Sequence, residues 1–277
     1  MTYHDLNSFV RALEQAGELK RVVYPVKAEL EITEIADRVM KSGGPALLFE
    51  NVIGKQIPVL INAFGSQKRM ALALGVQDIE EIAAEISKLI QTKPPKSFKD
   101  KLQLASDLIK LAGIPPKIVK DGACQEVILR EPDLNILPVL TCWPGDAGPF
   151  ITLPMVFSKD PVKGTRNVGL YRLQVFDART TGMHWHLHKV GARHFQQQKE
   201  TQGKMPLAVC LGGDPAMIYA ATAPLPPQID EVLFTGFLRK KGVKLVKGIT
   251  VDIEVPANSD IVIEGYVDPA EPLRREG

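Results

Sequence analysis

Gly113-Ile114-Pro115-Pro116 divides the chain into two textures, and the fold class follows from what lies on either side. Paired prolines lock φ and remove backbone donors, so no regular element runs through them. Upstream, helical patterns alternate with short apolar runs. Leu6, Phe9, Val10 and Leu13 recur at helical spacing and Gly17 is a natural stop. Residues 33–41 carry Ile35, Ala36, Val39 and Met40 on one face and end at Gly43-Gly44. Ala46-Leu-Leu-Phe49 and Ile57-Pro-Val-Leu-Ile61 read as two strands around a turn at Gly54. Ser66 and Asp78 have the chemistry of N-caps, and Ile79, Ile82, Ala83, Ile86 and Leu89 form an amphipathic face. A proline-broken basic stretch from Thr92 reads as a solvated linker, followed by a helix over 102–111.

Downstream the pattern changes to short strand-like runs over 124–129, 151–157, 169–176, 183–188, 207–211, 243–249 and 261–267. Gly, Pro, Asp and Asn clusters separate them, and helical patterns intervene at 190–198 and 229–238. Many short strands between turn signals point to a β-barrel or sandwich. The expectation is therefore an α+β protein: an N-terminal α/β domain over 1–115, then a β-rich domain over 116–277.

Composition narrows the function classes. The 34 basic and 32 acidic side chains leave a net charge of +2, with no concentrated basic face for nucleic acid. Aromatic residues make up 6%, too few for a base-stacking surface. Cys124, Cys142 and Cys210 lie far apart with no C-x-x-C pair, which suits a reducing compartment and argues against a disulfide framework. No apolar run approaches the ~20 residues that cross a bilayer, and the start Met1-Thr-Tyr-His-Asp5 is not a signal peptide. The expected location is the cytoplasm, free or at the membrane periphery. G-x-G-x-x-G, G-x-x-x-x-G-K-[ST], G-x-S-x-G and H-E-x-x-H are all missing, which removes the usual signals of dinucleotide binding, phosphate loops, serine hydrolysis and zincins.

The densest site-like stretch runs from Arg166 to Arg193. In Arg166-Asn-Val-Gly-Leu-Tyr-Arg172, a strand reading places Arg172 beside Tyr171, with Gly169 allowing close approach of a ligand or backbone. Arg172 suits a two-pronged grip on a carboxylate, or a pairing with a nearby acid. In Met183-His-Trp-His-Leu-His-Lys189 a strand would put His184, His186 and His188 on one face, fit for zinc, for phosphate or for stacking on a ring. Asn167 and Glu231 are hard oxygen donors. If the fold unites them they suit Mg²⁺ or Mn²⁺ completed by a ligand phosphate; otherwise Glu231 is simply a first-turn helix acid. Cys142-Trp-Pro-Gly-Asp-Ala-Gly-Pro149 is a rigid turn that either walls a pocket or packs as a loop.

At these residues the sequence resembles the UbiD family of reversible aryl and acrylic acid decarboxylases. The resemblance is carried by Leu30-Glu-Ile-Thr-Glu-Ile-Ala-Asp-Arg38, Gly43-Gly-Pro-Ala-Leu-Leu-Phe-Glu-Asn51 and Thr141-Cys-Trp-Pro-Gly-Asp-Ala-Gly-Pro149. It continues through Arg166-Asn-Val-Gly-Leu-Tyr-Arg-Leu-Gln174, Leu211-Gly-Gly-Asp-Pro215 and Glu264-Gly-Tyr-Val267. It implies that the β-rich half is a split β-barrel like that of flavin reductases, holding prenylated FMN. Asn167 and Glu231 then look like ligands of a Mn²⁺ ion that anchors the cofactor phosphate. Leu170, Tyr171, Arg172, His184, Trp185, His186, Lys189 and Val190 look like cofactor contacts. Arg172 and Glu276 look like members of a Glu–Arg–acid catalytic network, whose final acid, in the pattern E-G-x-x-G-[DE], would lie past Gly277. The ending Arg274-Arg-Glu-Gly277 is read as a truncation, so residues 1–277 alone are expected not to turn over. The resemblance also implies an aromatic acid substrate, foremost 4-hydroxy-3-polyprenylbenzoate of ubiquinone biosynthesis, a flavin prenyltransferase as cofactor supplier, and a homo-oligomer. Two rivals are another aryl or acrylic acid as substrate, and a flavin-binding module without catalysis.

Overall fold

The computed structural model describes residues 3, 5–90, 114–201, 203–225 and 230–275. The helix expected over 102–111 and the candidate Glu276 lie outside them.

The first part is a small three-stranded sheet clothed by helices. Helix α1 (Leu6–Gln15) starts at Asp5, whose carboxylate accepts from Ser8 N–H at 2.7 Å while Ser8 Oγ accepts from Asp5 N–H at 3.0 Å. It ends as the spacing predicts, with Gly17 at φ +69° turning the chain into β1 (Leu19–Val22). Helix α2 (Glu31–Lys41) connects β1 to its parallel neighbour β2 (Ala46–Phe49). β2 pairs antiparallel with β3 (Val59–Ile61). All four β2 residues are buried because both faces are covered. Ala46 packs with Phe9, Leu13 and Ala73, whereas Leu47 and Phe49 pack with Val26, Ile32 and Leu140. Helices α3 (Gln67–Leu74, capped by Ser66) and α4 (Ile79–Ile90) follow.

The second part centres on an antiparallel sheet in the order β13-β10-β6-β7. These strands are β6 (Met155–Lys159), β7 (Arg166–Leu170), β10 (Met205–Leu211) and β13 (Ile261–Val267). β10 and β13 pair over seven residues, from Met205↔Val267 to Leu211↔Ile261. Alternation along the strands supplies two cores. Met155, Phe157, Val168, Ala208 and Cys210 face helices α6 (Pro215–Ala220) and α7 (Glu231–Arg239) together with β11 (Lys244–Lys247) and β12 (Glu254–Pro256). Val156, Leu207 and Val209 face Leu134, Leu173 and Phe195, the last on helix α5 (Val190–Thr201). β4 (Lys117–Ile118) joins the sheet β12-β11-β4, and β5 (Phe150–Ile151), β8 (Leu173–Val175) and β9 (Thr181–Met183) form the sheet β5-β8-β9. By hydrogen bonding the strands of this half thus fall into three sheets, and none closes on itself among the described residues.

Four strand expectations are corrected. The run 151–157 is divided between β5 and β6, which belong to different sheets, with Leu153 at φ +53° between them. Residues 124–129 form a 3₁₀ turn at Ala123–Gln125, after which Val127, Ile128 and Leu129 point outward with no ladder to join. The run 169–176 is two strands in different sheets. Tyr171 folds its ring over Gly169, where a Cβ would lie 2.3 Å from the phenol oxygen, and this turns the chain between β7 and β8. The run 183–188 stops at Met183, because its partner β8 begins at Leu173 and pairing ends there. Helix α6 was absent from the sequence reading, although Asp214-Pro215 carries its N-cap and N1 proline.

Candidate functional site

Asn167 sits in β7 at 6% exposure, and the carboxylate of Glu231, the first residue of α7, reaches the same strand. Val168 N–H donates to Glu231 Oε2 at 2.9 Å. β7 is an edge strand, so its outward N–H groups need partners, and here a carboxylate from 63 residues away supplies one. Asp230 caps α7 by accepting from Val232 N–H at 2.8 Å and also receives Arg166 Nε at 3.1 Å. Burial pushes the Glu231 carboxyl up to about 7, and the Val168 N–H pulls in the opposite direction. A half-buried acid held this way is poised to gain from a cation.

Tyr171 is the second element of the site. It is buried, and its hydroxyl accepts from Gly191 N–H of α5 at 3.3 Å. Burial raises its pKa, against the lowering influence of the Gly191 N–H and of neighbouring Asn167, while the Glu231 charge raises it further. Trp185 packs on Phe195 with ring centroids 5.3 Å apart. A Cβ on Gly191 would lie 2.9 Å from Trp185 Nε1 and 3.1 Å from the Tyr171 ring, so this glycine lets α5 close onto both aromatics. Asn167 Nδ2 and Trp185 Nε1 are both buried without a hydrogen-bond partner. Buried orphan donors are uncommon, and two around one acid–phenol joint give the place a polar demand that the protein leaves unmet.

The remaining predicted residues distribute around this joint. Leu170 is half-buried against the core that holds Val168. Arg172 is exposed at the β7–β8 turn, its guanidinium 5.1 Å from the centre of the Phe150 ring. His184, His186, His188 and Lys189 are exposed, and Val190 opens α5. Because the chain leaves the sheet after Met183, the expected three-histidine face does not form. His186 and His188 approach with ring centroids 5.3 Å apart. Among the described residues no group of three or more His, Cys, Asp or Glu is placed to hold a metal. An amide–carboxylate pair such as Asn167 and Glu231 lies outside that type of cluster. In the Cys142–Pro149 turn, Trp143, Pro144, Asp146, Gly148 and Pro149, facing Leu30, line an open surface groove of about 510 Å³. Asn167, Arg172 and Glu231 do not line it. Missed by the sequence reading were Asp230 and the Gly191 N–H; the N-cap chemistry of Asp immediately before Glu231 was the available signal.

Residues 117–277 match the 3-octaprenyl-4-hydroxybenzoate carboxy-lyase Rift-related domain, and residues 10–89 match the 3-octaprenyl-4-hydroxybenzoate carboxy-lyase N-terminal domain. The chain belongs to the UbiD family. It is 49% identical over 278 residues to an uncharacterized protein of Aquifex aeolicus, covering 99% of this chain and 57% of that one. An uncharacterized protein of Archaeoglobus fulgidus is 48% identical, covering 100% and 57%. The chain thus spans little more than half the length of these relatives. Among solved structures, an evolved dimeric form of the UbiD-class enzyme HmfF from Pelotomaculum thermopropionicum, in complex with prFMN, superimposes with a TM-score of 0.83 at 32% identity. That match covers 97% of this chain and 58% of that one. Vanillic acid decarboxylase of Sedimentibacter hydroxybenzoicus gives 0.81 at 28% identity, covering 98% and 55%.

Proposed function

We propose that this chain forms the cofactor-holding part of a non-oxidative aromatic acid decarboxylase that uses prenylated FMN. The observation that carries the reading is the junction of Glu231 with β7 at Val168, one residue from Asn167, ringed by the orphan donors of Asn167 and Trp185. A cofactor phosphate would satisfy those donors, and Glu231 and Asn167 would hold Mn²⁺ to offset its charge. The donor set fits: carboxylate and amide oxygens suit a hard divalent cation, and the strained ionisation of Glu231 is relieved by one. The solved relative that holds prFMN supports the choice of cofactor.

Loss of CO₂ from an aromatic ring leaves electrons with no sink among amino-acid side chains, and prenylated FMN supplies that sink when bound. The residues of this chain bind and orient. Leu170, Tyr171, His184, Trp185, His186, Lys189 and Val190 would contact the cofactor. Arg172, stiffened by the Phe150 ring, orients carboxylates, with Glu276 as its partner in the acid network. Residues 116–277 are read as a split β-barrel and 1–115 as a separate α/β domain. The favoured substrate is 4-hydroxy-3-polyprenylbenzoate in ubiquinone biosynthesis, with other aryl or acrylic acids as the alternative. No helix among the described residues is long and apolar enough to cross a membrane. Peripheral membrane contact, a flavin prenyltransferase as supplier and a homo-oligomeric state complete the proposal.

The test is co-expression of the full chain with a flavin prenyltransferase, followed by mass spectrometry and metal analysis of the purified protein. Prenylated FMN and manganese should co-purify, and Glu231→Gln or Asn167→Ala should each reduce retention ~10-fold or more, at least the loss that follows removal of an outer partner of a metal ligand. His186→Asn should retain the manganese. A folded parent that carries neither flavin nor manganese would overturn the reading.

A further inference from the structure

Two contacts fasten the start of α7 to β7, and Asn167 lies between them. One is the Glu231 carboxylate on Val168 N–H, at 2.9 Å. The other is Arg166, the first residue of β7, on Asp230, the N-cap of α7. Arg166 donates from Nε at 3.1 Å and again from Nη2, both to Asp230 Oδ2, and its Nη1 lies 3.7 Å from Glu254 Oε2 on β12. Their side chains are 13% and 20% exposed, so this pair is more desolvated than a surface ion pair and holds a more definite geometry. Asp230 meanwhile keeps its capping bond to Val232 N–H. One carboxylate therefore fixes both where the helix begins and which strand residue it sits beside.

We propose that the Arg166–Asp230 pair is a positioning device that sets Glu231 beside Asn167 for cation binding, a proposal that rests on the reading of those two residues as ligands. The physical need is clear from the charges. Asp230 and Glu231 are adjacent acids, and unneutralised repulsion would drive their carboxylates apart. Arg166 neutralises Asp230 and ties it to the strand position preceding Asn167. Glu231, held by Val168 N–H, is left to meet a cation at the joint. A helix start without this tie could slide or rotate on the edge strand, and a displaced Glu231 would no longer share a cation with Asn167. A merely structural role for the pair would instead show up as lost stability alone.

The test uses the full chain, with Mn²⁺ titrated in the presence of FMN and free Mn²⁺ read by electron paramagnetic resonance. Asp230→Asn keeps an N-cap acceptor and removes the ion pair, so the helix survives. Arg166→Gln removes the other half. Each should weaken Mn²⁺ binding ~10-fold, the usual effect of losing a partner behind a metal ligand, while the thermal midpoint stays close to that of the parent. Arg166→Lys, which restores the charge, should recover part of the affinity. If the parent takes up Mn²⁺ with FMN and both variants match it, the positioning role is overturned and the functional reading stands. A loss confined to one of the two variants likewise overturns the pair. If the folded parent takes up no Mn²⁺ with FMN, the ligand reading falls and this inference falls with it.

Discussion

At the scale of single residues, the site depends on a glycine that makes room for a ring. Gly169 is in β7, where an added methyl would meet Tyr171 at 2.3–2.7 Å. The ring has no free space to retreat into, being buried with its hydroxyl bound to Gly191. Gly169→Ala should therefore cost about 1–3 kcal/mol, the range for overpacking a closed core. Gly265→Ala, which meets nothing within 4 Å, should cost far less. Chemical denaturation of both variants checks this, and equal losses would refute the packing argument. His194 gives a second residue-scale prediction. It is 1% exposed on α5, with its Nδ1 3.0 Å from Ser158 Oγ, near Asp160 and Arg193. Burial holds its pKa below the ordinary 6.5, with Asp160 acting the other way and Arg193 reinforcing the depression. The unfolded chain thus binds this proton more readily than the folded one. Stability should fall as pH drops below about 6.5 and be retained above it. Thermal midpoints at pH 7.5 and 5.5 should diverge more in the parent than in His194→Gln; parallel shifts would sink the assignment.

At the scale of elements, helices α3, α6 and α7 meet at one buried ion pair. Arg239, near the end of α7, donates Nε to Asp214, the N-cap of α6, at 2.9 Å and Nη2 to Ala73 O of α3 at 2.7 Å. Its guanidinium also lies 5.3 Å from the Tyr3 ring centre. Removing one partner of a buried pair strands the other charge, so Arg239→Ala should destabilise by about 3–5 kcal/mol. Arg239→Met with Asp214→Ser, which retains an N-cap, should recover much of that loss by denaturant titration. Element identity was largely legible in the sequence where the signal is local. The spacing of Phe9, Val10 and Leu13 and the stop at Gly17 marked α1, and the cap Ser66 marked α3, without help from the rest of the chain; the cap Asp5 emerged only in the structure. The run 261–267 appeared as β13 with its predicted bounds. The run 124–129 failed because β propensity without a neighbouring edge makes no strand.

At the scale of the whole molecule, β10 is the central beam. It pairs with β13 and β6, and Cys210 within it is fully buried between them. Burial raises the Cys210 thiol strongly, and those of half-buried Cys124 and Cys142 as well. Thiolate is the reactive form, so all three should react slowly with a disulfide reagent in the native state. Cys210 should be last, modified only at the rate of global opening, because exposing it breaks the main sheet. Peptide mapping after timed labelling checks this; early modification of Cys210 would show that the sheet opens locally.

The sequence by itself determined the alternation of helix and strand, the cap Ser66, the stop at Gly17, and the family resemblance carried by blocks such as Arg166–Gln174. Such signals arise from neighbours within about one helical turn or one strand pleat, and they are written in local order. Only the tertiary structure decided that β7 and β8 belong to different sheets, that the three histidines leave the strand, and that Glu231 reaches Val168 across 63 residues. Those outcomes turn on which edge finds which partner and which side chain fills which gap. They are settled by long-range packing, to which no local period is sensitive.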